Sequence, residues 1–190
     1  MHPALVFVPG ERLTLAELGA ARLDGHVVEV GEGFIPADIV EGPEARAAGL
    51  RAIVPERTAA CGPTAAWVHG AGDRAPGVHH VRRRSDRRFR PSLPRHVVYH
   101  DRRAAEEDVR IIAGVGVVAE LPTALELLFQ VASDPTAERW LRALLSVCDG
   151  LAERTRDRLD ELSRRPGRRL AVRTLERIAA DQDVVTRYTS

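Results

Sequence analysis

Apolar residues in the first 56 positions recur at two spacings, which together predict short helices and a hairpin. Thr14 and Glu17 have the spacing of a capping box, which predicts that a helix starts just after Thr14. The apolar segments on either side of Gly31-Glu32-Gly33 predict two strands joined by a tight turn. The predicted elements are a strand over 4–8, a helix over 15–23, hairpin strands over 26–30 and 34–35, and a helix over 44–54. A helix followed by a glycine-tipped hairpin outlines a reduced winged helix.

A stretch of small residues around one of the two tryptophans, Thr58–Gly70, is predicted to be the hub of the core. Thr64 is expected to cap a short helix that Gly70 ends. Trp67 would anchor this helix, because a buried indole brings a large apolar area to one place. His69 has no nucleophile with an orienting acid beside it in sequence. We therefore expect a cap or a buried hydrogen bond from His69 rather than catalysis.

The rest of the chain changes from strand spacing to helical spacing near residue 120. Strands are predicted over 78–84, 96–100, 109–112 and 115–119, and helices over 123–132, 136–153, 155–164 and 170–180. The predicted fold class is α+β, with a small winged-helix-like N-terminal module followed by a mixed sheet and a helical C-terminal bundle. We expect a domain boundary after residue 56, which gives an N-terminal module over 1–56 and a C-terminal domain over 57–190.

Charge is distributed unevenly along the 190 residues, although the net charge is only +1. Residues 1–60 carry a net charge of −4, whereas residues 79–103 contain nine arginines and two acids, a net charge of +7. The chain has no lysine, which excludes Schiff-base chemistry and phosphate loops that depend on a lysine. An anionic partner is therefore expected to bind the middle of the chain.

Arginines of this basic segment are the first candidates for contacts with nucleic acid, because they can meet successive phosphates. The candidates are Arg82, Arg83, Arg84, Arg87, Arg88, Arg90 and Arg95. In a strand, Arg82 and Arg84 would share one face and Arg83 the other. The alternative is a solvated loop whose arginines pair with the acids at 106–108.

Four further candidates lie in the N-terminal module. Arg22 and His26 flank the end of the first predicted helix and could touch a DNA backbone or groove edge. Arg12 and Thr14 could hold a phosphate at the start of that helix, where free N–H groups favour anions. An ordinary surface role is an equally good interpretation of all four.

Metal and cofactor sites have little support in the sequence. Cys61 and Cys148 are too far apart for ligand spacing and are expected to be small buried residues in a reducing compartment. The four histidines between residues 79 and 100 could meet across two strands, but they lack a cysteine or carboxylate at compatible spacing. We expect no metal, no cofactor and no enzyme activity. No apolar stretch has the length of a membrane span or a signal, so we expect a cytoplasmic protein with no membrane partner.

Three short motifs carry a family resemblance. They are Gly33-Phe34-Ile35-Pro36, the run Ala65-Ala66-Trp67-Val68-His69-Gly70, and Thr123-Ala124-Leu125-Glu126-Leu127 at the start of a helical tail. In this order, the chain resembles the AbiEi family of antitoxins from type IV toxin–antitoxin systems, in its version from GC-rich bacteria. The similarity spans most of the chain.

The resemblance implies a transcriptional regulator with an N-terminal winged-helix DNA-binding part. Its C-terminal domain would counteract a nucleotidyltransferase-like toxin, without requiring a stable complex. Such antitoxins bind operator repeats upstream of their own genes and repress them, so a homodimer, or two copies on paired repeats, is expected. The alternative is a protein-interaction module that neutralises a partner enzyme by direct contact, through the amphipathic helix over 136–153 and the tail beyond it.

Overall fold

The computed structural model describes residues 6–162 and 164–189, with residues 182–189 described by backbone alone. Its helices are α1 (Leu15–Leu23), α2 (Pro43–Gly49), α3 (Gly62–Val68), α4 (Glu120–Gln130), α5 (Thr136–Val147), α6 (Leu151–Glu161) and α7 (Arg168–Thr189). Its strands are β1 (Val27–Val30), β2 (Gly33–Pro36), β3 (Thr58–Ala60), β4 (His79–Arg83), β5 (Val97–His100), β6 (Val109–Ile112) and β7 (Val115–Val118). This arrangement confirms the predicted α+β class with a helical C-terminal part. None of the helices in the described ranges combines the length and the apolar character needed to cross a membrane.

The larger of two sheets has five strands in the order β5-β4-β3-β7-β6. Strand β3 is central, antiparallel to β4 and parallel to β7, while β4 and β5 run parallel and β6 and β7 form a hairpin. The sheet is therefore mixed, as predicted. Its central strand was missed by the sequence prediction, because Thr58-Ala59-Ala60 is short and small and lacks the β-branched apolar residues typical of strands.

One main core joins this sheet to the helices, and Trp67 of α3 lies at its centre with 1% of its surface exposed. Helices α4 and α5 contribute Leu127, Leu141 and Leu144, which are completely buried. Trp67 is therefore buried in the core, where the prediction of Thr58–Gly70 as its hub places it. A buried aromatic ring with small neighbours allows α3 to approach both the sheet and the C-terminal helices closely.

The N-terminal part consists of α1, the β1–β2 hairpin and α2. Leu18, Val27 and Phe34 form a small separate cluster beneath α1, whereas Val30 and Ile35 belong to the main core. Among the described residues, one helix precedes the hairpin, as predicted for a reduced winged helix. Residues 4 and 5 of the predicted first strand lie outside the described residues, and Phe7 of its remainder forms only an isolated bridge to Phe34.

Two predicted helices are shorter than expected. Helix α5 ends at Val147 rather than continuing to 153, because Cys148 is extended and Gly150 adopts a left-handed conformation at φ 66°. Leu151 therefore begins α6, which runs to Glu161 in place of the predicted 155–164. Helix α2 ends at Gly49, whose carbonyl accepts a hydrogen bond from the Glu32 N–H of the hairpin turn.

Other helix boundaries also differ from the prediction. Thr64 does not cap α3: the N-cap is Cys61, and Thr64 lies inside the helix. Helix α4 starts at Glu120, three positions before the predicted start, with Pro122 in its first turn, where the missing N–H has no cost. The last helix, α7, is longer than the predicted 170–180.

Candidate nucleic-acid interface

Strand β4 divides its arginines between two faces, as the alternation predicts. Arg83 shares the buried face with His79 and Val81, whereas Arg82 points to the opposite, half-buried face. The guanidinium of Arg83 donates hydrogen bonds to the carbonyls of Ser85 at 2.5 Å and Asp86 at 2.8 Å, and to the carbonyl of Asp101 at 3.1 Å. Its charge also meets an Asp101 carboxylate oxygen at 3.1 Å. The donors of Arg83 are therefore used inside the protein.

Arg82 is also engaged within the fold. It forms a close ion pair with Glu126 of α4, and the two side chains are only 14% and 12% exposed. Gln130, one turn further along the helix, donates to the same Glu126 oxygen at 3.3 Å. This pair joins the sheet to the helical part, so it is poorly placed to contact a long nucleic acid.

The segment that follows β4, residues 84–95, is held at one point by aromatic contacts. The guanidinium of Arg57 lies 4.5 Å from the ring centroid of Phe89 and donates to the Ser85 hydroxyl at 2.7 Å. Tyr99 of β5 meets the Phe89 ring edge-on and donates its hydroxyl to the Phe89 carbonyl at 2.9 Å. The segment is therefore fixed to the sheet near its middle.

The arginines of the segment after Arg84 face solvent. Arg87, Arg90 and Arg95 are exposed, and their guanidinium groups have no hydrogen-bond or carboxylate partner among the described residues. Arg88 is 84% exposed and lies 3.4 Å from an Asp101 oxygen. Arg84 is half-buried and donates weakly to the Glu56 carbonyl at 3.4 Å. The described acids near these arginines are Asp86 and Asp101 rather than the predicted group at 106–108.

The N-terminal candidates are exposed but mostly occupied. Arg22 lies 3.3 Å from the Glu29 carboxylate. The hydroxyl and N–H of Thr14 both donate to Glu17, in the predicted capping box, and these contacts lower the pKa of Glu17. An anion at this helix start would therefore meet a carboxylate. Arg12 and His26 are exposed side chains at opposite ends of α1.

Helix α2, the helix that follows the hairpin, is not available as a recognition helix. Helix α2 has only seven residues, and Ala45 through Gly49 are buried against the rest of the protein. Arg46 of this helix donates to the Trp67 carbonyl at 2.7 Å and pairs with Glu41 at 2.6 Å. The helix serves to pack the hairpin against α3.

The predicted hub residues form hydrogen bonds across the core. The Thr64 hydroxyl accepts from the His80 N–H at 2.8 Å and so links α3 to β4. His69 is the C-cap residue of α3, and its Nε2 lies 2.7 Å from the Val118 carbonyl. Burial lowers the pKa of His69, so the ring is neutral and donates from Nε2. Gly70 ends the helix in a left-handed conformation at φ 105°.

The four histidines of β4 and β5 meet in two pairs. His80 Nδ1 lies 3.0 Å from His100 Nε2 with the rings stacked, and His79 contacts His96 edge to face. The Glu32 carboxylate lies 3.7 Å from His79. Burial of the ring and the charges of the neighbouring histidines nevertheless lower the pKa of His79 to about 4. Within the described ranges, no group of three or more His, Cys, Asp or Glu side chains has a geometry that could hold a metal ion.

Arg57, Phe89 and Tyr99 were missed as parts of this interface. Arg57 lies outside the basic segment, in the acidic first third of the chain, and only the pairing of β3 with β4 brings it close. A signal was present in Phe89, the single aromatic residue among the arginines of 82–95. An aromatic side chain within an arginine-rich loop indicates a point of attachment to the core.

Comparison with known protein families places the larger part of the chain in one of them. A family model described as the AbiEi antitoxin C-terminal domain matches residues 58–177. The matched region starts at β3 and includes the whole five-stranded sheet, the arginine segment and helices α3 to α6, together with part of α7. No curated protein matches the chain.

Proposed function

Because the chain belongs to the AbiEi antitoxin family, we propose that it is an antitoxin that binds operator DNA and represses its own promoter. The contact is made by the arginine segment 84–95 rather than by the N-terminal module. The family is not an enzyme family, and its antitoxin role implies a toxin as partner. We further propose that this toxin is nucleotidyltransferase-like and that its antagonism does not depend on a stable complex.

The DNA contact is supported by a difference between Arg83 and the arginines of segment 84–95 that follow it. Arg83 is buried and joined to three backbone carbonyls, whereas Arg87, Arg90 and Arg95 face solvent without a partner among the described residues. Three free guanidinium groups on a segment fixed at Phe89 can neutralise adjacent phosphates. Displacement of the counterions from those phosphates then drives binding.

Three properties of the N-terminal module disfavour phosphate binding, which supports the assignment of the DNA contact to segment 84–95. Its net charge over residues 1–60 is −4, its short second helix is buried, and Thr14 is satisfied by Glu17. A module with these properties repels phosphates. We therefore assign the module to packing and to spacing the copies on paired operator repeats.

The contact alternative, in which the amphipathic helix over 136–153 binds a partner enzyme, receives less support. Trp140, Leu141, Leu144 and Leu145 of α5 are buried in the protein's own core. A partner would meet only the polar face of this helix, where Arg142 and Glu138 already form an ion pair. We retain DNA as the primary partner.

A gel-shift assay on DNA from upstream of the protein's own gene, at several salt concentrations, tests the proposal. We expect a shift that weakens as salt rises. Replacement of Arg87, Arg90 and Arg95 by glutamine should weaken it at every salt concentration, because three phosphate contacts are lost. The matched control replaces Arg156, Arg169 and Arg173, which are exposed arginines on the helical part, with the same change of charge. Equal losses from both triple variants would refute the assignment of segment 84–95.

A toxicity assay tests the antitoxin part separately. Co-expression with the product of a neighbouring nucleotidyltransferase-like gene should restore growth of the host. Rescue that persists in the DNA-binding triple variant would show that neutralisation and repression use different surfaces. The absence of rescue by the wild-type protein would contradict the proposed toxin class.

A further inference from the structure

A cleft of about 500 Å³ lies between α4, the loop after β5 and the connection from α6 to α7. It is separate from segment 84–95, and neither the proposed DNA contact nor the antitoxin role uses it. This volume is within the range of small-molecule sites in proteins. One wall is apolar and consists of Leu121, Leu125, Phe129 and Leu162.

Charged residues also line the cleft, and most of them are arginines. Four arginines and two carboxylates line it, which gives a net charge of +2: Arg82, Arg102, Arg158 and Arg165 with Asp108 and Glu126. Two of these arginines are already paired, Arg82 with Glu126 and Arg158 with Glu161. Arg102 and Arg165 have no carboxylate partner among the described residues.

These two arginines line the same cleft. The guanidinium carbon of Arg165 lies 3.8 Å from the ring centroid of Phe129, so its position is fixed by stacking. Burial and the charge of Arg102 both lower the pKa of Arg165. Positive charge without a carboxylate partner therefore remains in the cleft, and a bound anion would neutralise it.

Two polar atoms of the cleft-lining residues are also unsatisfied. Arg82 Nε and Glu126 Oε2 are buried and have no hydrogen-bond partner among the described residues. Neither atom has accessible surface, so contacts to a ligand in this cleft come from the arginines and the apolar wall. The cleft therefore combines a candidate anion site with an apolar wall, and a simple inorganic anion would use only the first of these.

We propose that this cleft binds a nucleoside monophosphate, with its phosphate between Arg102 and Arg165. The sugar and base lie against the apolar wall formed by α4 and Leu162. An arginine pair suits this ligand because guanidinium groups bind phosphate oxygens in a bidentate manner.

Isothermal titration with AMP, GMP, CMP and UMP, and with inorganic phosphate and adenosine as partial ligands, tests the proposal. We expect at least one nucleotide to bind with a Kd below about 1 mM. Inorganic phosphate and adenosine should each bind at least about tenfold more weakly, since each lacks part of the contacts. No nucleotide binding at millimolar concentration, or equally tight binding of inorganic phosphate, would overturn the proposal.

Substitutions at the anion site provide the second measurement. Arg102→Gln and Arg165→Gln should each weaken nucleotide binding at least about tenfold, because each removes a charged hydrogen-bond donor. Arg164→Gln is the matched control, an exposed neighbour that does not line the cleft, and it should change Kd less than twofold. An equal effect of the control would mean that the affinity reflects general charge and would refute the site.

Three further readouts distinguish binding in this cleft from binding on segment 84–95 and from a loss of the fold. Circular dichroism of each variant verifies the fold, and chemical-shift changes at the side-chain amide of Gln130 in the wild-type protein report the cleft without any substitution. The Arg87→Gln and Arg90→Gln variants should retain nucleotide binding, even where DNA binding is lost. Loss of nucleotide binding in those variants would place the ligand on segment 84–95 and contradict the proposal.

Discussion

Replacing Arg83 by methionine should unfold the protein more easily, whereas the same replacement at Arg87 should not. Methionine keeps most of the apolar stem of arginine and removes the guanidinium. At position 83 the change leaves the carbonyls of Ser85, Asp86 and Asp101 without their donor. Arg87 is exposed and has no described partner.

The magnitude follows from these contacts. A hydrogen bond to a charged group contributes about 1.5–3 kcal/mol, but the carbonyls at 85, 86 and 101 can partly turn to water when the donor is lost. We therefore expect Arg83→Met to lower the free energy of unfolding by about 3 kcal/mol rather than by the sum of the individual values. An exposed substitution such as Arg87→Met should remain within about 0.5 kcal/mol.

Urea denaturation followed by circular dichroism measures both values under the same conditions. Hydrogen exchange adds a local readout, since the backbone amides of 84–95 should exchange faster in Arg83→Met. A loss below about 1 kcal/mol in Arg83→Met would mean that its hydrogen bonds do not hold the segment. A loss of similar size in Arg87→Met would refute the distinction between structural and exposed arginines.

The other predictions concern the packing of the N-terminal part and the response to pH. Gly49→Ala should destabilise the protein by about 2–3 kcal/mol in urea denaturation, because a Cβ there would overlap the Val30 carbonyl. The control is Gly19→Ala, which has open space around the added Cβ. This control should stabilise α1 by up to about 1 kcal/mol. Since the folded state lowers the pKa of His79 to about 4, from about 6.5 in the unfolded chain, the unfolded state binds more protons between these pH values. Stability should therefore fall as the pH drops from about 6.5 to 4, and His79→Gln should reduce the slope of unfolding free energy against pH in that window; an unchanged slope would contradict this assignment.

Local signals in the sequence predicted much of the fold. The capping box at Thr14 and Glu17 gave the correct start of α1, because both partners lie within one helical turn. The glycine-tipped hairpin and the change to helical spacing near residue 120 were also confirmed. These features depend on residues that are neighbours in the chain, which is the information that a sequence pattern carries.

Long-range contacts explain what the sequence did not reveal. Strand β3 has no strand-like composition and exists because β4 and β7 pair with it on either side. Helix α5 was extended too far because the apolar period continues through Cys148 and Leu151, although the left-handed Gly150 interrupts the helix. A glycine two positions after an apolar run was the local signal that should have ended it.

The arginine segment illustrates the same limit at the level of function. Composition identified residues 79–103 as basic, but it gave Arg83 and Arg87 equal weight. Only the folded structure shows that the donors of Arg83 are taken by backbone carbonyls, while Arg82 pairs with Glu126 from a helix more than forty residues away. Counting charge along a sequence therefore overestimates how many arginines remain free to bind a partner.

The salt dependence of operator binding is the measurement that distinguishes the proposed interface from all other surfaces of the protein. Each phosphate contact contributes about 0.9 to the slope of the logarithm of the binding constant against the logarithm of salt concentration. Replacing Arg87, Arg90 and Arg95 by glutamine should therefore lower the magnitude of the wild-type slope by about three. The control variant at Arg156, Arg169 and Arg173 should keep the wild-type slope. A slope that is unchanged in the first variant, or reduced equally in the second, would contradict binding through segment 84–95.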